Sequence, residues 1–329
     1  MRNVALILVG AAIILALSYV LSPFRNYQLA TVGAYFCVTA GLTVLTGLNG
    51  QLSLGHGALM AVGAYTLAMT QNELAGNGQW TLPVAVLAAI AVTTAVGAVV
   101  GLAAARLRGP YLAGLTLAVA VVVPAITSTW DTTFNSDQGL SVSVDPPPPA
   151  LGYDFPYERW QAWLTWAGAL LTLLFLANLI RSRFGRNLKA VRDDEAAARL
   201  AGINVARTQV MAFVVSAACA GLGGALIAVL SQSVSPGAFP LALSLFLVMA
   251  IVIGGLGRLA GALWGAVLLV VLPATTHSLT DSIDVSAAVA QRLEGNLPLA
   301  IFGVVLIVVM LAFPGGIASL PSKVLRRKR

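Results

Sequence analysis

The 329-residue chain is 58% hydrophobic and only 9% charged, with a formal net charge of +7 and a mean hydropathy of +0.89. Soluble domains carry about 25% charged residues, so this composition excludes a soluble globular protein. At about 20 residues per span, the length accommodates roughly eight to ten transmembrane helices and no sizeable soluble domain beside them. We therefore predict an all-α polytopic membrane protein with a single transmembrane domain over residues 1–329.

Apolar windows without Asp, Glu, Lys or Arg predict about ten helices. In chain order the windows cover residues 4–21, 28–46, 52–70, 82–105, 111–128, 161–180, 209–230, 241–257, 259–276 and 297–313. The first run continues past a weak small-x-small pattern, which favours a retained span over a cleaved signal sequence. The 241–257 window is at the short limit, so a re-entrant or broken element is an alternative there.

The charges between these windows predict the orientation of the chain. If the N-terminus faces the cytoplasm, the basic residues on the outer side are Arg25, Arg159 and Arg292 of a total of 19. The acidic residues on the inner side are then Asp193, Asp194 and Glu195 of a total of 12. Because Lys and Arg concentrate in cytoplasmic connections, we expect an even number of spans with both termini in the cytoplasm.

Several classes of function are disfavoured by residues that the sequence lacks. It has no G-x-x-x-x-G-K-[ST] motif and so no P-loop for ATP phosphates. No apolar window contains an ionisable Asp, Glu, Lys or Arg, which weighs against a carrier driven by an ion gradient. The basic residues cluster at span ends rather than on a face interleaved with aromatics, so we expect no nucleic-acid partner.

No enzyme or metal site is indicated either. His56 and His277 are far apart in the sequence, and no cluster of His, Cys and carboxylates has the spacing of metal ligands or of a catalytic constellation. Cys37 and Cys219 lie in apolar stretches and are predicted to be buried free thiols. The expectation is a chain with no catalytic residue, bound cofactor or metal of its own.

Glycines recur within the windows, at positions 97 and 101, at 261 and 265, and at 221, 223 and 224. Small residues let helix backbones approach closely in lipid, so a tightly packed bundle is predicted.

Outside the membrane, residues 129–160 form an acidic, aromatic segment stiffened by prolines at 146–149, which predicts an ordered external loop. A second outer connection, 277–296, contains AAVAQRL and is expected to form a short surface helix. Either could dock a soluble partner or simply connect spans.

The inner segment 181–207 is the most densely charged part of the chain. Within it, the acidic residues 193–195 precede the helix-forming residues 196–201, and Gly202 follows where a helix would stop. Acidic residues in a first turn and glycine beyond a last turn are typical of helix ends. We predict a short helix at the membrane surface. A solvated connection without a special role is the alternative.

Polar residues also interrupt the apolar pattern between residues 47 and 59, namely Asn49, Gln51, Ser53 and His56. Polar groups are costly in lipid unless they are paired or face water, so these four are candidates for lining a translocation path or holding a broken helix open. The alternative is a helix-start turn whose polar side chains cap backbone groups. For His56, a packed neutral side chain is favoured over a ligand-binding one.

Four segments carry a family resemblance. Glu195, Ala196 and Ala197, followed by Gly202, resemble the EAA loop of ABC-importer permeases. With the adjacent Asp193 and Asp194 they are the candidate residues for coupling to an ATPase. The chain also resembles LivM-type permeases of branched-chain amino acid importers through GLTVLTGLNGQLSLGHGALMAVGAY (41–65), RLRGPYLAGLTLA (106–118), FGRNLKAVRDDEAAARLAGINVAR (184–207) and IGGLGRLAGALWGAVLL (253–269). These segments occur in the same order in that family and span nearly the whole chain.

The resemblance implies an ABC-importer permease bundle in the bacterial cytoplasmic membrane. It implies four partners: a similar second permease subunit, two cytosolic ATPases and an external substrate-binding protein. ATP and Mg²⁺ would be bound by the ATPases, and the loop at 181–207 would couple ATPase motion to the pore. Relatives in this family that handle urea or short amides leave the substrate open, and an ion-gradient-driven carrier is a more distant alternative.

Overall fold

The computed structural model describes residues 2–74, 81–107, 110–144, 146–152, 154–281, 287–313 and 315–319. These residues are mostly helical. The helices are α1 Arg2–Val20, α2 Pro23–Leu42, α3 His56–Glu73, α4 Thr81–Ala104, α5 Pro110–Thr129, α6 Asp131–Phe134, α7 Tyr157–Arg181, α8 Arg183–Asp193, α9 Glu195–Leu200, α10 Val205–Ser231, α11 Leu241–Gly254, α12 Leu259–Asp281 and α13 Ala287–Ala312. A π-helical turn, Thr43–Leu48, continues α2, and the two short strands are β1 Leu140–Ser141 and β2 Ser233–Val234.

Seven helical segments of the described chain are long and apolar enough to cross a membrane. They are Pro23–Leu48, Thr81–Ala104, Tyr111–Thr129, Tyr157–Arg181, Val205–Ser231, Pro236–Gly254 and Ala300–Ser319. Two shorter apolar helices cover Ile7–Val20 and Leu259–Thr275. A polytopic helical membrane protein is therefore confirmed. The number of about ten spans and the cytoplasmic side of both termini stay predictions.

Two predicted boundaries are wrong. The window at 52–70 does not begin as a helix, because residues 50–55 are irregular and α3 starts only at His56. At the other end of the chain, AAVAQRL does not form a separate surface helix, because it is the continuous beginning of α13. Its alanines and leucine favour helix, and α13 continues through Gly295 and Pro298 to Ala312.

The centre of the bundle is α10, which touches three other helices through three glycines. A Cβ at Gly221 would meet Thr93 of α4, one at Gly223 would meet Val38 of α2, and one at Gly224 would meet the Met60 backbone of α3. Side chains at these positions would hold the helices apart. The predicted close packing of small residues is therefore confirmed at the three contacts that hold α2, α3 and α4 around α10.

The other predicted glycine pairs also lie at helix contacts. Gly97 and Gly101 of α4 approach Ala217 and Phe213 of α10. Gly261 and Gly265 of α12 approach the backbone of α11 in the same way, at residues 254 and 250. Both cysteines are buried and free, as predicted.

The segment between α5 and α7 is ordered and pairs with the chain that follows α10. Leu140 of β1 faces Val234 of β2 in an antiparallel ladder, and the Val142 amide donates to the Gln232 carbonyl oxygen at 3.0 Å. Strands of two residues are too short to produce a period-2 pattern, so the sequence does not predict them. The segment thereby links the ends of α5, α7 and α10 at one end of the bundle.

Candidate coupling and translocation site

The charged segment 181–207 folds into two helices, whereas the sequence predicted one. In α8, the Ser182 side chain caps the first turn by accepting a hydrogen bond from the Phe184 amide at 3.1 Å. Phe184, Leu188 and Val191 recur at helical spacing, and the last two are buried. This apolar stripe could have been found in the sequence, because spacings of four and three residues indicate an amphipathic helix.

The predicted short helix is α9. Its N-cap is Asp194, whose Oδ1 accepts hydrogen bonds from the amides of Ala196 at 2.7 Å and Ala197 at 3.1 Å. Such a cap satisfies amide donors that have no partner inside the helix. Gly202 follows the helix at φ +80°, a left-handed conformation that favours glycine. Asp193 is not part of α9, because it is the last residue of α8.

Side-chain bonds tie α9 to its surroundings. Glu195 Oε2 accepts from Arg199 Nη2 at 3.2 Å within the helix. Its Oε1 accepts from Gln209 Nε2 of α10 at 2.9 Å. Ala198 is buried against neighbouring apolar residues, whereas Leu200 at the end of α9 is 92% exposed. The helix is thus anchored on one side and presents an apolar side chain to the outside on the other.

The first polar candidates lie where the chain leaves helical geometry. Gly50 follows the π-helical turn with φ +76°. The Asn49 amide donates from Nδ2 to Gln51 Oε1 at 2.7 Å, and Thr46 Oγ1 donates to the Gln51 carbonyl oxygen at 3.0 Å. Polar side chains that bond to one another and to nearby backbone compete with the helical ladder, which accounts for the break before α3.

Ser53 and His56 lie deeper, between helices. His56 is fully buried. Its Nδ1 lies 3.0 Å from Ser53 Oγ, and its Nε2 lies 2.6 Å from Ser216 Oγ in α10. Each ring nitrogen therefore has a hydroxyl partner, which is the usual condition for burying a polar side chain.

Two further hydroxyls hold the backbone of the same segment. Thr116 Oγ1 of α5 accepts from the Leu54 amide at 2.9 Å. Ser244 Oγ of α11 accepts from the Gly57 amide at 3.0 Å. We name residues 43–57, from the π-helical turn to the first turn of α3, the broken segment. It is fastened by side chains from α5, α10 and α11, none of which the sequence analysis singled out. Each is an isolated polar residue in an apolar window, a signal that could have drawn attention to it.

The two groups of candidates meet at one cavity of about 810 Å³. Its lining includes Asn49, Gly50, Gln51 and Leu52 of the broken segment and Val191, Arg192, Asp193, Asp194 and Glu195 of the charged segment. Asn49 Oδ1 is buried without a hydrogen-bond partner. Ser53 and His56 are not in this lining. Asn49 and Gln51 are therefore the members of the polar group that the fold brings beside α8 and α9.

A basic side chain bridges the two groups directly. Arg192 Nη1 donates to the Gly47 carbonyl oxygen at 2.8 Å. The same guanidinium donates through Nε and Nη2 to Asp193 Oδ1 at 3.1 and 2.9 Å. No sequence pattern predicted this bridge, because the two residues are 145 positions apart. Within the described residues, no group of three or more His, Cys, Asp or Glu side chains could hold a metal ion.

Together, the fold and this site define a polytopic helical membrane protein in which a charged helical pair abuts a break in the bundle. The sequence model of the family described as the branched-chain amino acid transport system permease component matches residues 25–314. The chain belongs to this family, which confirms the resemblance found in its sequence.

Three relatives illustrate the match. The high-affinity branched-chain amino acid transport system permease protein LivM of Salmonella typhimurium is 34% identical over 261 residues, covering 72% of this chain and 60% of the relative. The LivH permease protein of the corresponding system in Escherichia coli K12 is 27% identical over 307 residues, covering 89% and 94%. The BraD permease protein of Pseudomonas aeruginosa is 26% identical over 255 residues, covering 73% and 81%. The match thus spans about three-fifths of the LivM relative's length. No solved structure matches the chain.

Proposed function

We propose that this chain is the transmembrane permease subunit of an ATP-binding-cassette importer that moves branched-chain amino acids across the bacterial cytoplasmic membrane. Family membership and the relatives' names support the substrate class. The observation that carries the proposal is the meeting of α8 and α9 with the broken segment at one cavity. A charged helical pair in that position can receive force from a soluble partner and pass it into the bundle.

The proposed assembly contains two cytosolic ATPases, a similar second permease subunit and an external substrate-binding protein. This chain supplies no catalytic residue, and ATP and Mg²⁺ are bound in the ATPases. The sequence supports this division, because it has no P-loop motif of its own. We place Leu200, whose side chain is 92% exposed at the end of α9, at the contact with the ATPase.

The proposed topology has about ten spans, counting α3 and the two shorter apolar helices. Both termini and residues 181–207 face the cytoplasm, and residues 129–160 lie outside, within one transmembrane domain. The charge distribution supports this arrangement. When the windows are counted from a cytoplasmic N-terminus, all but three of the 19 Lys and Arg fall on the inner side and all but three of the 12 Asp and Glu fall on the outer side.

In the proposed mechanism, closure of the ATPases moves α9. The Glu195 bond to Gln209 passes that movement to α10, and the Ser216 contact with His56 passes it from α10 to the broken segment. Asn49 and Gln51 then face the translocation path at the cavity. Asn49 and Gln51 are themselves neutral, which suits a zwitterionic substrate without net charge, and the charged residues of the cavity lining belong to the charged segment.

The test is reconstitution of the complete complex in proteoliposomes with its binding protein. We expect uptake of radiolabelled leucine, isoleucine or valine that requires ATP and persists when an ionophore collapses ion gradients. Uptake that continues without ATP and stops with the ionophore would contradict the proposal in favour of a gradient-driven carrier. ATP-driven uptake of urea or a short amide, with none of the amino acids, would contradict the substrate class alone.

A further inference from the structure

We propose that Arg192 is a positioning residue that transmits movement of the α8–α9 pair to the broken segment. This inference rests on the proposed function and adds a second mechanical route to the one through α10. Its basis is the hydrogen bond from Arg192 Nη1 to the Gly47 carbonyl oxygen, 2.8 Å long. That bond joins the end of α8 to the π-helical turn.

The acceptor of this bond, the Gly47 carbonyl oxygen, lies where a positively charged donor is favoured. Gly47 lies in the last turn of the π-helical Thr43–Leu48, where carbonyl groups lack partners within the helix and carry partial negative charge. The next contact is made by Gly50, at which a Cβ would lie 2.9 Å from Arg192 Cγ. The aliphatic stem of Arg192 therefore packs on a glycine surface while its head reaches the carbonyl.

The donor end is tied to the residue that follows it in the chain. Two further nitrogens of the Arg192 guanidinium bond to Asp193 Oδ1 at 3.1 and 2.9 Å. Asp193 ends α8, and the next residue is the N-cap of α9. Because these charged hydrogen bonds are directional, a displacement of the α8–α9 junction carries the guanidinium with it.

A displacement at Gly47 can change the conformation of the broken segment because residues 54–57, at the other end of that segment, are fixed. The side chains of Thr116, Ser216 and Ser244 hold residues 54–57 to three different helices. A pull on Gly47 is therefore applied to the irregular stretch between the two attachments. That stretch contains Asn49 and Gln51, which line the cavity.

The test compares Arg192→Ala and Arg192→Lys in the complete reconstituted complex with a matched control, Arg186→Ala. Arg186 is an exposed arginine on the same helix, whose Nη1 reaches the Arg181 carbonyl oxygen at 3.5 Å. We expect Arg192→Ala to co-purify with the ATPases and to hydrolyse ATP, while leucine uptake per ATP hydrolysed falls about tenfold, as loss of a charged hydrogen bond implies. Lysine keeps the positive charge but lacks the several N–H donors of the guanidinium, so we expect Arg192→Lys to recover part of the uptake per ATP hydrolysed. The Arg186→Ala complex should keep the wild-type ratio of uptake to ATP hydrolysis, because the Arg186 guanidinium bonds within the charged segment rather than to the broken segment.

A second readout reports on the broken segment itself. Leu52 is 43% exposed and lines the cavity, and both native cysteines are buried. In a Leu52→Cys variant, the rate of labelling by a thiol reagent should differ between the nucleotide-free complex and the complex trapped with ATP and vanadate. Adding Arg192→Ala should abolish that difference.

The outcomes separate this inference from the proposed function. If the wild-type complex shows no ATP-driven uptake, the proposed function fails. If the wild type transports and Arg192→Ala has an unchanged ratio of uptake to hydrolysis, or keeps the nucleotide-dependent labelling of Leu52→Cys, the inference fails alone. Loss of ATPase co-purification in Arg192→Ala would also overturn it, because the residue would then belong to the docking surface.

Discussion

His56 Nε2 lies 2.6 Å from Ser216 Oγ and joins the first residue of α3 to the middle of α10. Because α10 begins shortly after α9, this contact links the charged helical pair to the broken segment through a single continuous helix. Both residues are fully buried. The contact therefore stabilises the fold, and in the proposed mechanism it also passes movement of α10 to the broken segment.

Removing the Ser216 hydroxyl is expected to destabilise the protein. Ser216→Ala would leave a buried ring nitrogen of His56 without a partner, which costs about 1–3 kcal/mol. The variant should be heated in detergent and the remaining folded protein measured by size-exclusion chromatography. The temperature at which half of the folded protein is lost should be lower than in wild type. The control is Ser231→Ala at the exposed end of the same helix, where Oγ bonds to local carbonyl groups. Equal midpoints for the two variants would contradict the assignment.

Close helix packing predicts a contrast between two glycines. In Gly224→Ala the new Cβ would meet the Met60 backbone, whereas in Gly114→Ala it would have no atom within 4 Å. Overpacking of this kind costs about 1–3 kcal/mol, so the first variant should lose thermal stability. The second should match or exceed wild type, because alanine is the better helix former. A Gly224→Ala protein as stable as Gly114→Ala would refute the contact.

The sequence predicted the features that depend on local composition. The apolar windows gave the positions of the helices, because lipid requires long charge-free runs. Acidic residues followed by alanines and a glycine predicted α9 and its end at Gly202. They did not show that Asp194 is the N-cap or that Asp193 belongs to α8. The glycines predicted close helix contacts, but only the structure shows which helix each glycine contacts.

The remaining features depend on contacts between distant residues. The break before α3 is held in place by hydroxyls on α5, α10 and α11, and no pattern within residues 43–57 identifies those partners. The Arg192 bond to Gly47 likewise spans 145 positions. The two-residue strands β1 and β2 form only because the ends of α5 and α10 place them side by side.

The N-cap of α9 can be separated from its charge. Asp194→Ala removes the acceptor for the Ala196 and Ala197 amides, a loss of about 0.5–2 kcal/mol for the helix. Asp194→Asn keeps an acceptor without the charge. If the folded helix is what the ATPase binds, co-purification of the ATPase should fall in Asp194→Ala and survive in Asp194→Asn. Equal loss in both variants would show that the charge is recognised instead.

The exposed end of α9 gives a prediction about docking. Because Leu200 is 92% exposed, Leu200→Ser should not change the thermal stability of the isolated subunit. It should weaken binding of the ATPase, measured by co-purification and by titration in a binding assay. Leu200→Met is the matched control, since it keeps an apolar side chain of similar size. Unchanged binding by Leu200→Ser would remove this side chain from the docking surface.

Coupling of this chain to a cytosolic ATPase requires that residues 181–207 face the cytoplasm. The most direct measurement is labelling of an Ala197→Cys variant with a membrane-impermeant thiol reagent, in right-side-out and in inverted membrane vesicles. Ala197 is exposed on α9, and the native cysteines are buried. We predict labelling in inverted vesicles and protection in right-side-out vesicles. Labelling in right-side-out vesicles alone would contradict the coupling of this segment to a cytosolic ATPase.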